Sequence, residues 1–179
     1  MKEFLKKIRL IDYLVIDLDI TKNEFITKLK ENVDEGSTGF MSDSFDMFSS
    51  SKNEYKGHVG FENFKIKRRK RLFDTTMNLA VASGTYRQKD NLLIINTEIN
   101  GFSGMMIPLY IFILIFYSIF IVMFLFSDSI GGGGIVPALF FTAVHASLML
   151  GLPYFMMRRS IKNMKRELDR DFYYLTRKR

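Results

Sequence analysis

No cysteine occurs in this 179-residue chain. That excludes a disulfide framework and any thiolate-bound metal, and it agrees with a reducing compartment. A cleavable leader is not legible either. Behind the basic start MKEFLKKIRL, the apolar segment is interrupted by Asp12, Asp17 and Asp19. The signatures of catalysis are missing too: there is no Gly-x-Ser-x-Gly, no phosphate-cradling loop and no metal-ligand spacing. His58 stands near no nucleophile in sequence, and Asp17 and Asp19 read more simply as the solvent side of a strand than as a cation site. The expectation is a protein that is not an enzyme and takes no cofactor or metal.

Charge is absent from two long stretches. Residues 105–126 hold no Lys, Arg, Asp or Glu, and in 136–157 the one ionisable group of consequence is His145. Each run has 22 residues. At about 1.5 Å per residue each reaches about 33 Å, enough for a hydrocarbon core of about 30 Å. In lipid the backbone must satisfy its own hydrogen bonds, so both runs are expected as helices. The short link SDSIGGGGI makes them an antiparallel transmembrane hairpin within 103–157. That link has no Lys or Arg, whereas the tail 158–179 has nine basic residues against three acidic. Retention of basic flanks on the cytoplasmic side places both chain ends in the cytoplasm and the glycine-rich link outside.

The net charge is +7, with a pI near 9.5, and most of the excess lies in that tail. Charge placed beside a bilayer points to anionic lipid headgroups as its partner. A second cluster, Lys65, Lys67, Arg68, Arg69, Lys70 and Arg71, packs six cations into seven residues. Its plain reading is a solvated strand end. Its functional reading, shared with Arg158, Arg159 and Lys162, is contact with the membrane surface. No aromatic platform is interleaved with the cluster, which argues against nucleic acid.

The first 102 residues read as a small cytoplasmic α+β domain. Leu14, Ile16, Leu18 and Ile20 alternate with Tyr13, Val15, Asp17 and Asp19, the pattern of a strand with one buried face. Thr21 and Glu24 form a capping-box pattern ahead of a short helix whose apolar positions are Phe25, Ile26, Leu29 and Val33. Residues 34–53 read as a long loop carrying Phe40, Met41, Phe45, Met47 and Phe48, suited either to capping the sheet or to docking. Strand patterns follow at 55–61 and 64–67. Two more, at 78–86 and 91–99, flank a turn at Arg87–Asp90. Four or five antiparallel strands are expected. The tail sets Ile161, Met164, Leu168, Phe172 and Leu175 at helical spacing, an amphipathic helix that either lies among headgroups or packs on the domain. Gly151 and Pro153 offer a kink before it.

Within the apolar runs, counting from the ends sets His145 level with Tyr117 and Ser118. The bland reading is a neutral imidazole hydrogen-bonded to one of those hydroxyls. Small residues at spacing four form two ridges, Ala138, Thr142 and Ala146, and Ala143, Ser147 and Gly151. One ridge suits the partner helix and the other a second protomer. The leading expectation is a membrane-anchored binding domain for a partner protein or the anionic surface. The alternative is a small oligomeric effector or channel.

Overall fold

The computed structural model describes residues 1–39, 51–70, 78–126 and 135–176. It forms two compact units, Met1–Phe102 with Met157–Arg179, and Ser103–Met156.

In the first unit, α1 (Lys2–Lys7) leads through Arg9, at a left-handed φ of 58°, into β1 (Ile11–Leu18). Leu14, Ile16 and Leu18 are buried and Tyr13, Val15 and Asp17 exposed, as the alternation requires. The Thr21 hydroxyl accepts the Glu24 N–H at 3.4 Å and caps α2 (Lys22–Asn32), which buries Phe25, Ile26 and Leu29. Val33 does not finish that helix. It turns extended, with φ −124° and ψ 122°, and starts β2 (Val33–Glu35). Then come β3 (Tyr55–Val59), β4 (Asn63–Arg68), β5 (Val81–Lys89) and β6 (Leu92–Asn100).

The sheet has six strands in the order β1-β6-β5-β4-β3-β2. It is mixed, which corrects the expectation of four or five antiparallel strands. β2 runs parallel to β3, pairing Val33 with Tyr55 and Glu35 with Gly57, while every other pair is antiparallel. A three-residue strand with two acidic members shows no alternation to read, and Val33 also fits the spacing of the preceding helix. The β5–β6 hairpin is tighter than expected. Lys89 pairs with Leu92, so the turn is Asp90-Asn91, with Asp90 at φ 52°. The aromatic residues of the expected loop, 40–48, lie outside the described residues.

One face of the sheet is the core. α2 covers part of it, and the rest is covered by the amphipathic stretch, whose Met157, Ile161, Met164, Leu168 and Phe172 are each at most 3% exposed. Of the two destinations expected for that stripe, the sheet is the one observed. Phe25, Phe64, Tyr86 and Phe172 meet there with ring centroids 5.3 to 5.9 Å apart. Each fully buried large apolar side chain contributes roughly 2 kcal/mol.

The second unit holds α3 (Met106–Phe126) and the opening turns of α4 (Ile135–Thr176), a helix unbroken through Gly151 and Pro153. The second apolar run and the amphipathic tail are thus one element. Tyr110 Oη donates to the Leu150 carbonyl at 3.4 Å, and Tyr117 meets His145, so the two helices run in opposite directions. Both are long and apolar enough to cross a membrane, and only 6% of each apolar window is buried.

Candidate functional site

The residues with chemical character in the sheet unit gather around α4. Ser160 Oγ accepts the N–H groups of Leu79 and Ala80, each at 2.9 Å. The Lys165 ammonium sits 3.0 Å from both carboxylate oxygens of Asp12. Arg68 pairs with Glu167 and also stands 3.8 Å from Glu54. The Tyr55 hydroxyl donates to Asp171 at 2.7 Å. Burial, then the carboxylates of Asp171 and Glu167, push the Tyr55 hydroxyl far above the ordinary tyrosine range. Burial also raises Glu167, against the opposing pull of Arg68. Together these contacts clamp α4 onto β1, β3, β4 and the residues leading into β5.

This clamp claims part of the basic cluster. Lys67 is only 2% exposed and lies opposite the equally buried Lys56. Arg68 is committed to Glu167, and Arg69 to Asp34 at 2.8 Å. Hydrogen bonds from Ser51 and Asn53, together with Arg69, hold the Asp34 carboxyl below its usual range. Lys65 is exposed beside Ser83 and His58, and His58 Nδ1 is 2.8 Å from Glu35. Lys70 is half-buried, and Arg71 lies outside the described residues. The five described cations of the cluster, which look equivalent in sequence, therefore have different environments.

A second cluster forms where the chain leaves and rejoins the sheet unit. The Gly101 N–H donates to the Leu10 carbonyl at 3.1 Å. A Cβ at Gly101 would fall 2.6 Å from Ile161 Cγ1 and 3.0 Å from the Met157 carbonyl oxygen. The departure at Phe102 and the return at Met157 are thus side by side. Arg158, Arg159 and Lys162 are exposed in the next turn of α4, and Lys7 and Arg9 are exposed just before Leu10. Lys70 follows β4, whose Lys67 lies in the same cross-strand row as Val81, Asn100 and Ile11. Among the described residues none of these six cations has a carboxylate partner, whereas Lys2 and Lys6 are paired with Glu98 and Glu3.

In the helical unit, Tyr117 Oη and His145 Nδ1 are 2.6 Å apart, and the Phe141 ring stacks on the imidazole at 6.2 Å. Ser118 is satisfied by the Leu114 carbonyl at 2.8 Å, so it leaves His145 to Tyr117. On the first small-residue ridge Thr142 is buried and Ala138 and Ala146 half-buried; on the second Ala143 and Ser147 are exposed and Gly151 half-buried. Two hollows open on the sheet unit. One of about 290 Å³ is lined by Tyr55, Asn53, Arg170, Asp171 and Tyr174. A shallower one of about 570 Å³ lies over Tyr13, Asn96, Ser83 and Lys65 on the outer sheet face. Among the described residues no group of three His, Cys, Asp or Glu is placed to hold a metal ion. Asp17 is on the exposed side of β1, with Asp19 exposed just beyond the strand.

Comparison of the chain with protein-family models, curated proteins and solved structures gives no match. Two features were not read from the sequence. Ser160 is a lone hydroxyl on an apolar stripe, with no pattern to mark it as a backbone acceptor. The cations Lys7 and Arg9 became notable only when Leu10 proved to bond Gly101, 91 residues further along the chain.

Proposed function

We propose that this chain is a two-span membrane anchor carrying a non-enzymatic, inward-facing sheet domain that binds a partner protein or the anionic bilayer surface. The observation that carries the reading is the condition of the two long helices. Their large apolar side chains are left uncovered, with Phe112 68% and Phe140 and Phe141 71% exposed. A soluble protein rarely exposes an apolar patch beyond a few hundred Å². Two helices of this length with so many uncovered apolar side chains exceed that, and lipid removes the cost. The basic turn after Met157, against a link without Lys or Arg, supports a cytoplasmic placement of both chain ends.

The reading of the domain as a binder rests on how its polar groups are used. Tyr55, Arg68, Glu167 and Asp171 are spent on one another in fastening α4 to the sheet. The exposed ridge of Ala143 and Ser147 leaves room for a second protomer in the membrane. A pore finds less support, because His145 is engaged by Tyr117 and α3 presents no polar stripe.

The test is extraction and topology. The full chain should stay with membranes through an alkaline carbonate wash and be released by detergent. A reporter after Arg179 should be active only as a cytoplasmic fusion, and one inserted in 127–134 only outside. Release by carbonate, or the reverse pattern of reporters, would sink the anchor.

A further inference from the structure

We infer that α1 and the residues just behind it form a second contact with the bilayer, in which Phe4 enters the headgroup region while Lys7 and Arg9 bind phosphate groups of anionic lipid. The inference rests on the anchor reading above and adds to it a site, a ligand class and a position.

The starting point is the asymmetry of α1. Only Leu5 turns into the core; Phe4, three residues before Lys7 and so on the same side, is 63% exposed. Lys2 and Lys6 are already neutralised by Glu98 and Glu3, whereas Lys7 and Arg9 are not neutralised by any described carboxylate. An uncovered aromatic ring flanked by unspent cations is the composition that suits a membrane interface, where the ring sits at headgroup depth and the charges meet phosphates.

Position decides the occupant. The left-handed turn at Arg9 delivers Leu10 to the Gly101 N–H, and Gly101 touches Ile161 and Met157. Residue 101 is four positions ahead of the first apolar run, and Met157 ends the second. If those runs are in lipid, the C-terminal end of α1 is tied by a backbone hydrogen bond to the membrane-proximal edge of the domain. Arg158, Arg159 and Lys162 follow Met157 in the next turn of α4, exposed and without a carboxylate partner among the described residues. Five cations around two adjacent chain crossings, with the nearby Asp12 and Glu3 already spent on Lys165 and Lys6, make a basic collar complementary to an anionic surface.

The absence of native cysteine allows single fluorophores to be attached to the full chain. Labels at Phe4→Cys, at Phe112→Cys in α3, and at Phe61→Cys are compared. Phe61 lies between β3 and β4, at the end of the strands away from Asn100. The protein is placed in phosphatidylcholine nanodiscs with or without phosphatidylglycerol, and quenching by headgroup-labelled and chain-labelled lipid is read. The expected result is headgroup quenching of the Phe4 label that requires phosphatidylglycerol, is lost at high salt, and is lost in a Lys7→Gln, Arg9→Asn variant. The Phe61 label should stay unquenched and the Phe112 label should respond to the chain quencher. A quenched Phe112 label with an unquenched Phe4 label overturns the contact and leaves the anchor standing. Phe4 quenching that ignores lipid charge and salt overturns the phosphate assignment. An unquenched Phe112 label removes the anchor and this inference together.

Discussion

The Tyr55 hydroxyl lies 2.7 Å from Asp171, joining the first residue of β3 to a helical residue 116 positions later. It is the far clasp of the α4 clamp and is largely out of solvent. Replacing Tyr55 by Phe removes the donor and leaves a half-buried carboxylate short of a partner. The loss should be about 1–2 kcal/mol, read as lower stability of the sheet unit in thermal unfolding of the detergent-solubilised chain. The same variant tests the titration. A tyrosine whose folded-state pKa is raised contributes stability that is present below its ordinary value of 10.0 and lost as pH climbs above it. The native chain should weaken in alkali above that point, and Tyr55→Phe should show a shallower slope.

Glu167 offers the complementary measurement at the acid end. Burial raises its pKa above the ordinary 4.5, so the folded unit holds that proton longer than the unfolded chain. The resulting contribution is complete below the ordinary value and fades as pH rises through the raised one. Stability should therefore fall between the carboxylate range and neutrality, and Glu167→Gln should flatten that segment. An unchanged profile would mean that Arg68 outweighs burial.

Gly101 should be intolerant of any side chain. A methyl group would press Ile161 Cγ1 at 2.6 Å and the Met157 carbonyl at 3.0 Å. Gly101→Ala is expected to cost roughly 1–3 kcal/mol. Shortening the neighbour relieves part of the crowding, so Gly101→Ala with Ile161→Val should cost less than the sum of the two single changes. A strictly additive cycle would show that the two positions do not meet.

In the helical unit the Tyr117–His145 bond at 2.6 Å should behave as one shared interaction. Tyr117→Phe and His145→Phe are each expected to weaken helix pairing by roughly 0.5–1.5 kcal/mol, measured by unfolding in mixed micelles. The double variant should be little worse than either alone. Full additivity would assign the two losses to unrelated packing.

Much of this architecture is written locally and some of it is not. The period-two pattern of Leu14 to Ile20, the Thr21 cap and the uncharged runs each declare their element within one continuous stretch of chain, and the structure has those elements. What escapes a linear reading depends on partners far along the chain. β2 is too short to show a period, and its pairing with Tyr55 lies beyond 19 intervening residues. Lys65 to Lys70 read as one basic face, yet the burial of Lys67 against the alternation, together with Asp34 and Glu167, splits them into buried, paired and exposed members. The stripe from Ile161 to Phe172 was legible as amphipathic, but both lipid and a sheet face satisfy such a stripe. The complementary surface of Phe25, Phe64 and Tyr86 settles the matter, and no local pattern reveals it.

Because Gly101 and Met157 touch, the sheet domain is discontinuous in sequence but closed in space, and residues 103–156 are a loop in the topological sense. A short glycine-serine bridge from Phe102 to Met157 would join the two pieces without stretching either, in the way that domains with neighbouring ends accept circular permutation and excision. The product would retain its last core-covering helix and shed every uncovered apolar side chain of the helical unit. A minidomain free of both apolar runs, fit for labelling and crystallisation, is thus already outlined by one glycine pressed against one helix.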